Sequence, residues 1–468
     1  MEIDCPGLPG VACRCPRFFS AGQTVGEETG KAFRFQVSQL MLVIACRACF
    51  DPVVKKFLNS FGPAIVVAAV VLGPGSITTS TKVGAAFGYD VLWLLVVLLV
   101  LLIGLASLAS FLGVVLEKSI CSELNSRLGK WSGAIIGISL FLIVAGFQSS
   151  NNMAVVAGIE PVIGSGAKFP TWVSIVILGA TNLIIIAILY RATNLYKYVE
   201  NLMKVFVGLM MIAFIVNFFW AKPAASQAVK GLVPDFSPFE NKQQLLALMG
   251  LIGTTFSVAG AFYQGYLVRE KGWTVNDLAS GRRDSIIGMC TLVGITAIVM
   301  MTAAAVFAGR TDPSTLKDVG SIAGQLEPLF GSGAKYIFCF GFLAGGFSSF
   351  LVNAMIGGHI LSDGLGKGGR LQGRWSLHAT TAALLVGMVI GMLALNPEFD
   401  RTKTIVFAQA CTVLGGPAVV LALIFLGFQQ RKSKTHPTPL WMLLLACISL
   451  LVSLAVATKT FLSISERI

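Results

Sequence analysis

Val70-Val71-Leu72-Gly73-Pro74-Gly75-Ser76 interrupts the first long apolar segment of the chain, and a lysine, Lys82, follows on its far side. Proline has no amide hydrogen and its ring clashes with the preceding turn, so a helix cannot run through this stretch unbroken. The break sets backbone carbonyls and amides free in the middle of a hydrophobic run. Hydrocarbon cannot satisfy them, so they must face protein or a cavity. Interrupted helices of this kind build the binding sites of secondary transporters.

The rest of the chain fits that setting. Of 468 residues, 55% are hydrophobic and only 12% charged, with a mean hydropathy of +0.80. A soluble domain carries about 25% charged residues. A membrane helix needs about 20 apolar residues, and about eleven such stretches can be counted, near 57–87, 91–116, 132–158, 171–190, 198–220, 244–268, 285–308, 334–361, 377–395, 404–428 and 440–462. The net charge of +13 does not point to nucleic acid, because the basic residues sit in short loops between apolar spans. Loops after the even-numbered spans hold Lys118, Lys130, Arg191, Arg269, Lys271, Arg282, Arg283, Lys367, Arg370, Arg374, Arg431, Lys432 and Lys434. The opposite loops are mixed, with Asp90, Asp235, Glu240, Asp312, Asp318, Glu327, Glu398 and Asp400. Positive loops stay in the cytoplasm, which puts the N-terminus inside and the C-terminus outside a plasma (inner) membrane.

Span 6 is weak at Ser257-Val258-Ala259-Gly260, matching the break in span 1 five spans earlier. An odd offset gives the second set of five spans inverted topology, with a site expected where the two broken helices meet. No nucleophile–base pair and no nucleotide loop stands out, so an enzyme is not expected and no cofactor is called for. Residues 1–50 hold five of the ten cysteines, including Cys46-Arg-Ala-Cys49, and lack a signal-peptide layout. They read as a poorly structured tail, with translation expected to start downstream. Residues 51–468 read as one transmembrane domain.

Several stretches resemble the Nramp (natural resistance-associated macrophage protein) family of proton-coupled divalent-metal transporters. They are Asp318-Val-Gly-Ser-Ile-Ala-Gly-Gln-Leu-Glu-Pro-Leu-Phe-Gly331, Leu343-Ala-Gly-Gly-Phe-Ser-Ser349, Gly84-Ala-Ala-Phe-Gly-Tyr-Asp-Val-Leu-Trp93, Leu112-Gly-Val-Val115 and Lys230-Gly-Leu-Val-Pro234. The resemblance runs from about Phe61 to span 10. It implies an all-α, LeuT-like 5+5 inverted repeat, here with one extra C-terminal helix, and transport of a divalent metal with protons as the coupling ion.

The signature positions depart from that family. Its Asp-Pro-Gly-Asn in span 1 is Gly73-Pro74-Gly75-Ser76 here, and its Met-Pro-His-Asn in span 6 is Ser257-Val258-Ala259-Gly260. A further family histidine falls at about Gln264. Of the usual side-chain ligands only the glutamine of span 10 is retained, as Gln409. The acidic route of span 3 meets Gln148-Ser149-Ser150-Asn151-Asn152, with no carboxylate. A bare dication entering a membrane needs hard oxygen ligands, usually with a carboxylate, and a thioether selects transition metals. With both gone, transition-metal selectivity of the usual kind is not expected.

The expected substrate site therefore draws on Val70, Gly73, Gly75, Ser76, Thr254, Ser257, Gly260 and Gln409, with carbonyls freed at Val70 and Thr254 as further ligands. Lys82, Gln148, Asn151, Asn152 and Gln264 are candidates for the cavity or for coupling. Lys82 either snorkels to water or faces the cavity, where it would repel a dication and attract an anion. The polar run of span 3 either bonds helix to helix or lines a wet cavity. His359 and His378 read as interfacial, Lys204 as snorkelling. Three functions stay open on these residues: a divalent metal carried with its water, a small polar or anionic organic solute, and a non-transporting membrane sensor or scaffold.

Overall fold

The computed structural model describes residues 62–163, 169–240, 245–310, 316, 332–395 and 412–465. The N-terminal tail, Gln409 and the whole of the 318–331 stretch lie outside the described residues.

The first apolar segment forms two helices, α1 (Pro63–Val71) and α2 (Pro74–Phe87), bent by 56° at the Leu72-Gly73 break. Then come α3 (Leu92–Val115), the short α4 (Ile120–Leu128), α5 (Lys130–Ile163), α6 (Thr171–Arg191), α7 (Leu195–Ala221) and the short α8 (Ala225–Lys230). The sixth span is again two helices, α9 (Leu245–Thr255) and α10 (Val258–Glu270). Next are α11 (Leu278–Phe307), α12 (Ser332–Gly364), α13 (Arg374–Leu393), α14 (Gly416–Arg431) and α15 (Leu440–Ser465).

Among the described residues, eight helices are long and apolar enough to cross a membrane, and the bent α1–α2 pair makes a ninth. The α9–α10 pair and α14 occupy the expected positions of spans 6 and 10. The membrane-facing sides follow from composition. α6 keeps only 33% of its apolar window buried and α7 the same, against 67% in α3 and 78% in α12. Outer helices offer apolar side chains to lipid; inner ones are enclosed by protein.

Two groups of helices emerge from the packing. The broken first span and α11 pack together, as do α3 with α10 and α3 with α11. Separately, α5, α12 and α13 pack on one another, with α6 against α13. Spans 1, 2, 6 and 7 thus form one bundle and spans 3, 4, 8 and 9 the other, the partition that an inverted five-span repeat produces. The extra span, α15, lies against α3 and α14.

A cavity between two broken helices

At the first break α12 supplies the seat. Ser348 Oγ donates to Ala69 O at 3.0 Å and Ser349 Oγ to Val70 O at 2.9 Å. A Cβ on Gly345 would stand 2.7 Å from Leu72 O, so only glycine lets α12 come this close. Packing accounts for part of the Leu343–Ser349 stretch: Gly345 allows the close approach, and the Ser348 and Ser349 hydroxyls hold carbonyls at the end of α1. A buried carbonyl without a donor costs about 1–3 kcal/mol, so this seat matters to the break.

Gly73 faces the same seat. Its backbone is ordinary (φ −73°, ψ 177°), yet a Cβ there would overlap Ser349 Oγ. The glycine is required by space, not by conformation. Asn353, one turn further along α12, donates to Ser349 Oγ at 2.8 Å. The result is a relay from the Asn353 amide through the Ser349 hydroxyl to the Val70 carbonyl.

At the second break α9 ends at Thr255 and α10 begins at Val258. Ser257 caps the new helix, its hydroxyl accepting from Gly260 N at 3.3 Å. Between the breaks lies a cavity of about 50 Å³. One water needs about 10–15 Å³ by this measure, so there is room for a few. Its polar edge is Thr254, Ser257, Asn353 and Ser453; Val70, Val144 and Phe147 belong to its apolar wall. Among the described residues, no Asp, Glu, His, Cys or Met lines it. Among the described residues no group of three His, Cys, Asp or Glu could hold a metal ion.

The sequence-derived candidates divide. Val70, Thr254 and Ser257 line the cavity. Gly73 is packed against Ser349, and Ser76 lies on a separate small void among Leu72, Ser80 and Met210. Gly75 O accepts from Thr79 Oγ1 at 2.8 Å, and Gly260 packs on Val67 and Ser257. The Val70 carbonyl, expected as a free ligand, already has the Ser349 donor. Thr254 Oγ1 bonds back to Gly250 O and Leu251 O in its own helix.

The polar run of α5 bonds partly to neighbouring helices and partly within α5 itself. Gln148 Nε2 donates to Phe350 O at 2.7 Å, Asn151 Nδ2 to Gln148 Oε1, and Asn182 Nδ2 to Asn152 Oδ1 at 2.8 Å. All three α5 side chains are fully buried, and none lines the cavity. Lys82 is half-buried beyond the cavity lining and has an interaction partner. Lys204, read as snorkelling, pairs with Glu200 at 3.2 Å, and Lys271 joins the same carboxylate at 3.1 Å. His378 meets Tyr190 Oη, whereas His359 is fully buried between Tyr263 and Tyr266.

Two buried carboxylates escaped the sequence reading. Asp284 of α11 accepts from Gly62 N at 2.6 Å, Ala64 N at 2.9 Å and Gln264 Nε2 at 3.2 Å. It caps the start of α1 and takes up Gln264, which stood as a coupling candidate. Asp363 of α12 accepts from Ser119, Ser122 and Tyr266 hydroxyls, tying α4 to α10. Asn353 and Ser453 were likewise missed. Ser453 sits in an apolar run of α15 and its buried hydroxyl has no partner among the described residues. A lone serine in such a run carries no distinguishing signal.

Two half-helices around a small, mostly apolar chamber with a polar edge, in a two-bundle membrane fold, define a secondary transporter of the broken-helix, inverted-repeat class. The chain belongs to the natural resistance-associated macrophage protein-like (Nramp) family, whose model matches residues 64–463. It is 24% identical over 390 residues to the divalent metal cation transporter MntH of Bradyrhizobium diazoefficiens, covering 81% of this chain and 83% of that protein. To MntH of Mycobacterium tuberculosis it is 24% identical, covering 78% and 82%. A crystal structure of the Eremococcus coleocola manganese transporter superposes with a TM-score of 0.67 at 18% identity, covering 89% of this chain and 88% of that one. MhsT in complex with L-phenylalanine superposes at 0.57 with 16% identity, covering 86% and 98%. At these identities the two structures speak for the fold alone.

Proposed function

We propose that this protein carries a divalent cation that keeps part of its water shell, a hard ion of the magnesium type rather than a bare transition metal. The observation that carries this reading is the chamber itself: about 50 Å³, edged by three hydroxyls and a carboxamide, with no carboxylate or sulfur among the described residues that line it. A hard cation that dehydrates reluctantly keeps several waters and is met through them by neutral oxygens. A soft site would need thiolate, thioether or imidazole. The named relatives are divalent metal transporters, which supports the charge class. Protons are the proposed coupling ion. The loop charges favour a cytoplasmic N-terminus, an outer C-terminus and the plasma (inner) membrane. Gln409, the retained family glutamine, is proposed to complete the site with Thr254, Ser257, Asn353 and Ser453.

A second reading rests on a different observation. A cleft beyond the end of α2 is lined by Lys222, Lys230 and Arg310 against one carboxylate, Asp90. Such an entrance attracts anions and disfavours dications, which suits a small anionic organic solute.

Uptake into proteoliposomes separates the readings. Magnesium entry that manganese competes for poorly, and that small carboxylates leave unchanged, is the expected result. Carboxylate uptake without cation flux would establish the second reading. No flux of either class would overturn both and leave a sensor or scaffold.

A further inference from the structure

A groove of about 640 Å³ opens on the outer surface where α6 ends and α7 begins. Its wall is apolar, formed by Ile184 and Ile188 of α6, and its end is basic, with Arg191 and Lys197 beside Asn194 and Asn201. Among the described residues, no carboxylate lines it. Neither the Arg191 guanidinium nor the Lys197 ammonium has a hydrogen-bond or ion-pair partner among the described residues. The nearest acidic residue on α7, Glu200, is already shared by Lys204 and Lys271.

We propose that this groove binds the phosphate of an anionic phospholipid, with an acyl chain lying along α6. Charge complementarity and position both select a lipid over a soluble anion. α6 spans the membrane with most of its apolar window unburied, and Leu183 and Ile184 are 68% and 60% exposed. In the bilayer that face is covered by acyl chains. Arg191 ends the same helix, so one molecule can lay its tail on the apolar wall and its phosphodiester on the two cations. Arginine and lysine at the end of a membrane helix stand at headgroup depth, and basic pockets between such helices bind acidic headgroups. Tyr198, half-exposed at the lip, is the amphipathic aromatic expected at that depth. The turn carrying the cations is pinned from outside: Gln372 Nε2 donates to Ala192 O and Thr193 O. The site is therefore set by the α6–α7 turn and the loop before α13 that carries Gln372, and it shares no lining residue with the substrate chamber.

Native mass spectrometry of the purified full chain tests this. Phosphatidylglycerol and phosphatidylcholine of matched chain length are offered at equal concentration. Preferential retention of phosphatidylglycerol is expected. Each cation near a charged headgroup contributes about fivefold in affinity, so Arg191→Gln with Lys197→Gln is expected to reduce retention by about twenty- to thirtyfold. The pair Arg282→Gln and Arg283→Gln, basic but remote from the groove, is expected to retain the lipid. Equal retention of the two lipids, undiminished retention by the first pair, loss with the second pair, or displacement by free glycerol phosphate would each overturn the proposal. Should the first pair fail to fold, photoactivatable phosphatidylglycerol on the unaltered protein decides. Cross-links within residues 184–201 support the groove, and cross-links confined elsewhere overturn it.

Discussion

Ser349 Oγ stands where a side chain on Gly73 would begin, and it spends its proton on the Val70 carbonyl at 2.9 Å. The position at which the Nramp resemblance implies an aspartate is thus filled from another helix. Restoring the carboxylate alone must push Ser349 aside. Gly73→Asp by itself is expected to destabilise the protein by about 1–3 kcal/mol through overpacking and to bind no manganese. Gly73→Asp combined with Ser349→Gly and Ser257→Met is expected to bind it. Thermal unfolding and calorimetry check both; manganese binding by the single variant would show that the seat yields more easily than the geometry implies.

Ser257→Met separates two roles of one residue. The hydroxyl caps α10 by accepting from Gly260 N, and losing an N-cap costs about 1 kcal/mol. The thioether would also bring the only sulfur to the chamber lining among the described residues. Cadmium or manganese uptake is expected to rise about tenfold relative to magnesium, following ligand softness. Unchanged ion preference in a folded variant would place the substrate elsewhere.

Asp284 holds the entry to the broken helix. Two amides at the start of α1 and the Gln264 amide all point at one carboxylate. Asp284→Ala leaves these donors buried without an acceptor, at about 1–3 kcal/mol for each, so a loss of several kcal/mol in stability is expected. Asp284→Asn retains one acceptor oxygen and is expected to lose less. Denaturant unfolding in detergent ranks the two; equal stability of all three proteins would remove the capping role.

Lys82 is half-buried on α2 and is one of two basic side chains in the helices of the broken spans, the other being Arg269 near the end of α10. Lys82→Gln is expected to lower the apparent KM for a dication about three- to tenfold by removing a repulsive charge from its approach. Transport unchanged in rate and in pH dependence would mark Lys82 as a purely structural partner.

Much of this was legible from the residues in order. A run of apolar residues long enough to cross a bilayer declares itself, and Gly-Pro-Gly within it must break a helix because proline lacks the amide hydrogen. Both breaks fall where the sequence puts them. Gln148 and Asn152 bond helix to helix, whereas Asn151 bonds to Gln148 within α5. Composition could not decide this, because a buried amide looks the same in sequence whether it meets water or a neighbouring carbonyl.

The sequence by itself determined the membrane class, the two interruptions and the chemistry missing from them, since these depend on local backbone properties and hydropathy. Tertiary structure alone decided that Ser349 occupies the space beside Gly73, that Asp284 caps a helix 220 residues away at Ala64, and that Ser453 joins the chamber from the last span. The physical reason is that every unsatisfied polar group in a low-dielectric interior must find a partner, and which one it finds depends on helix packing, which brings together residues far apart in the chain.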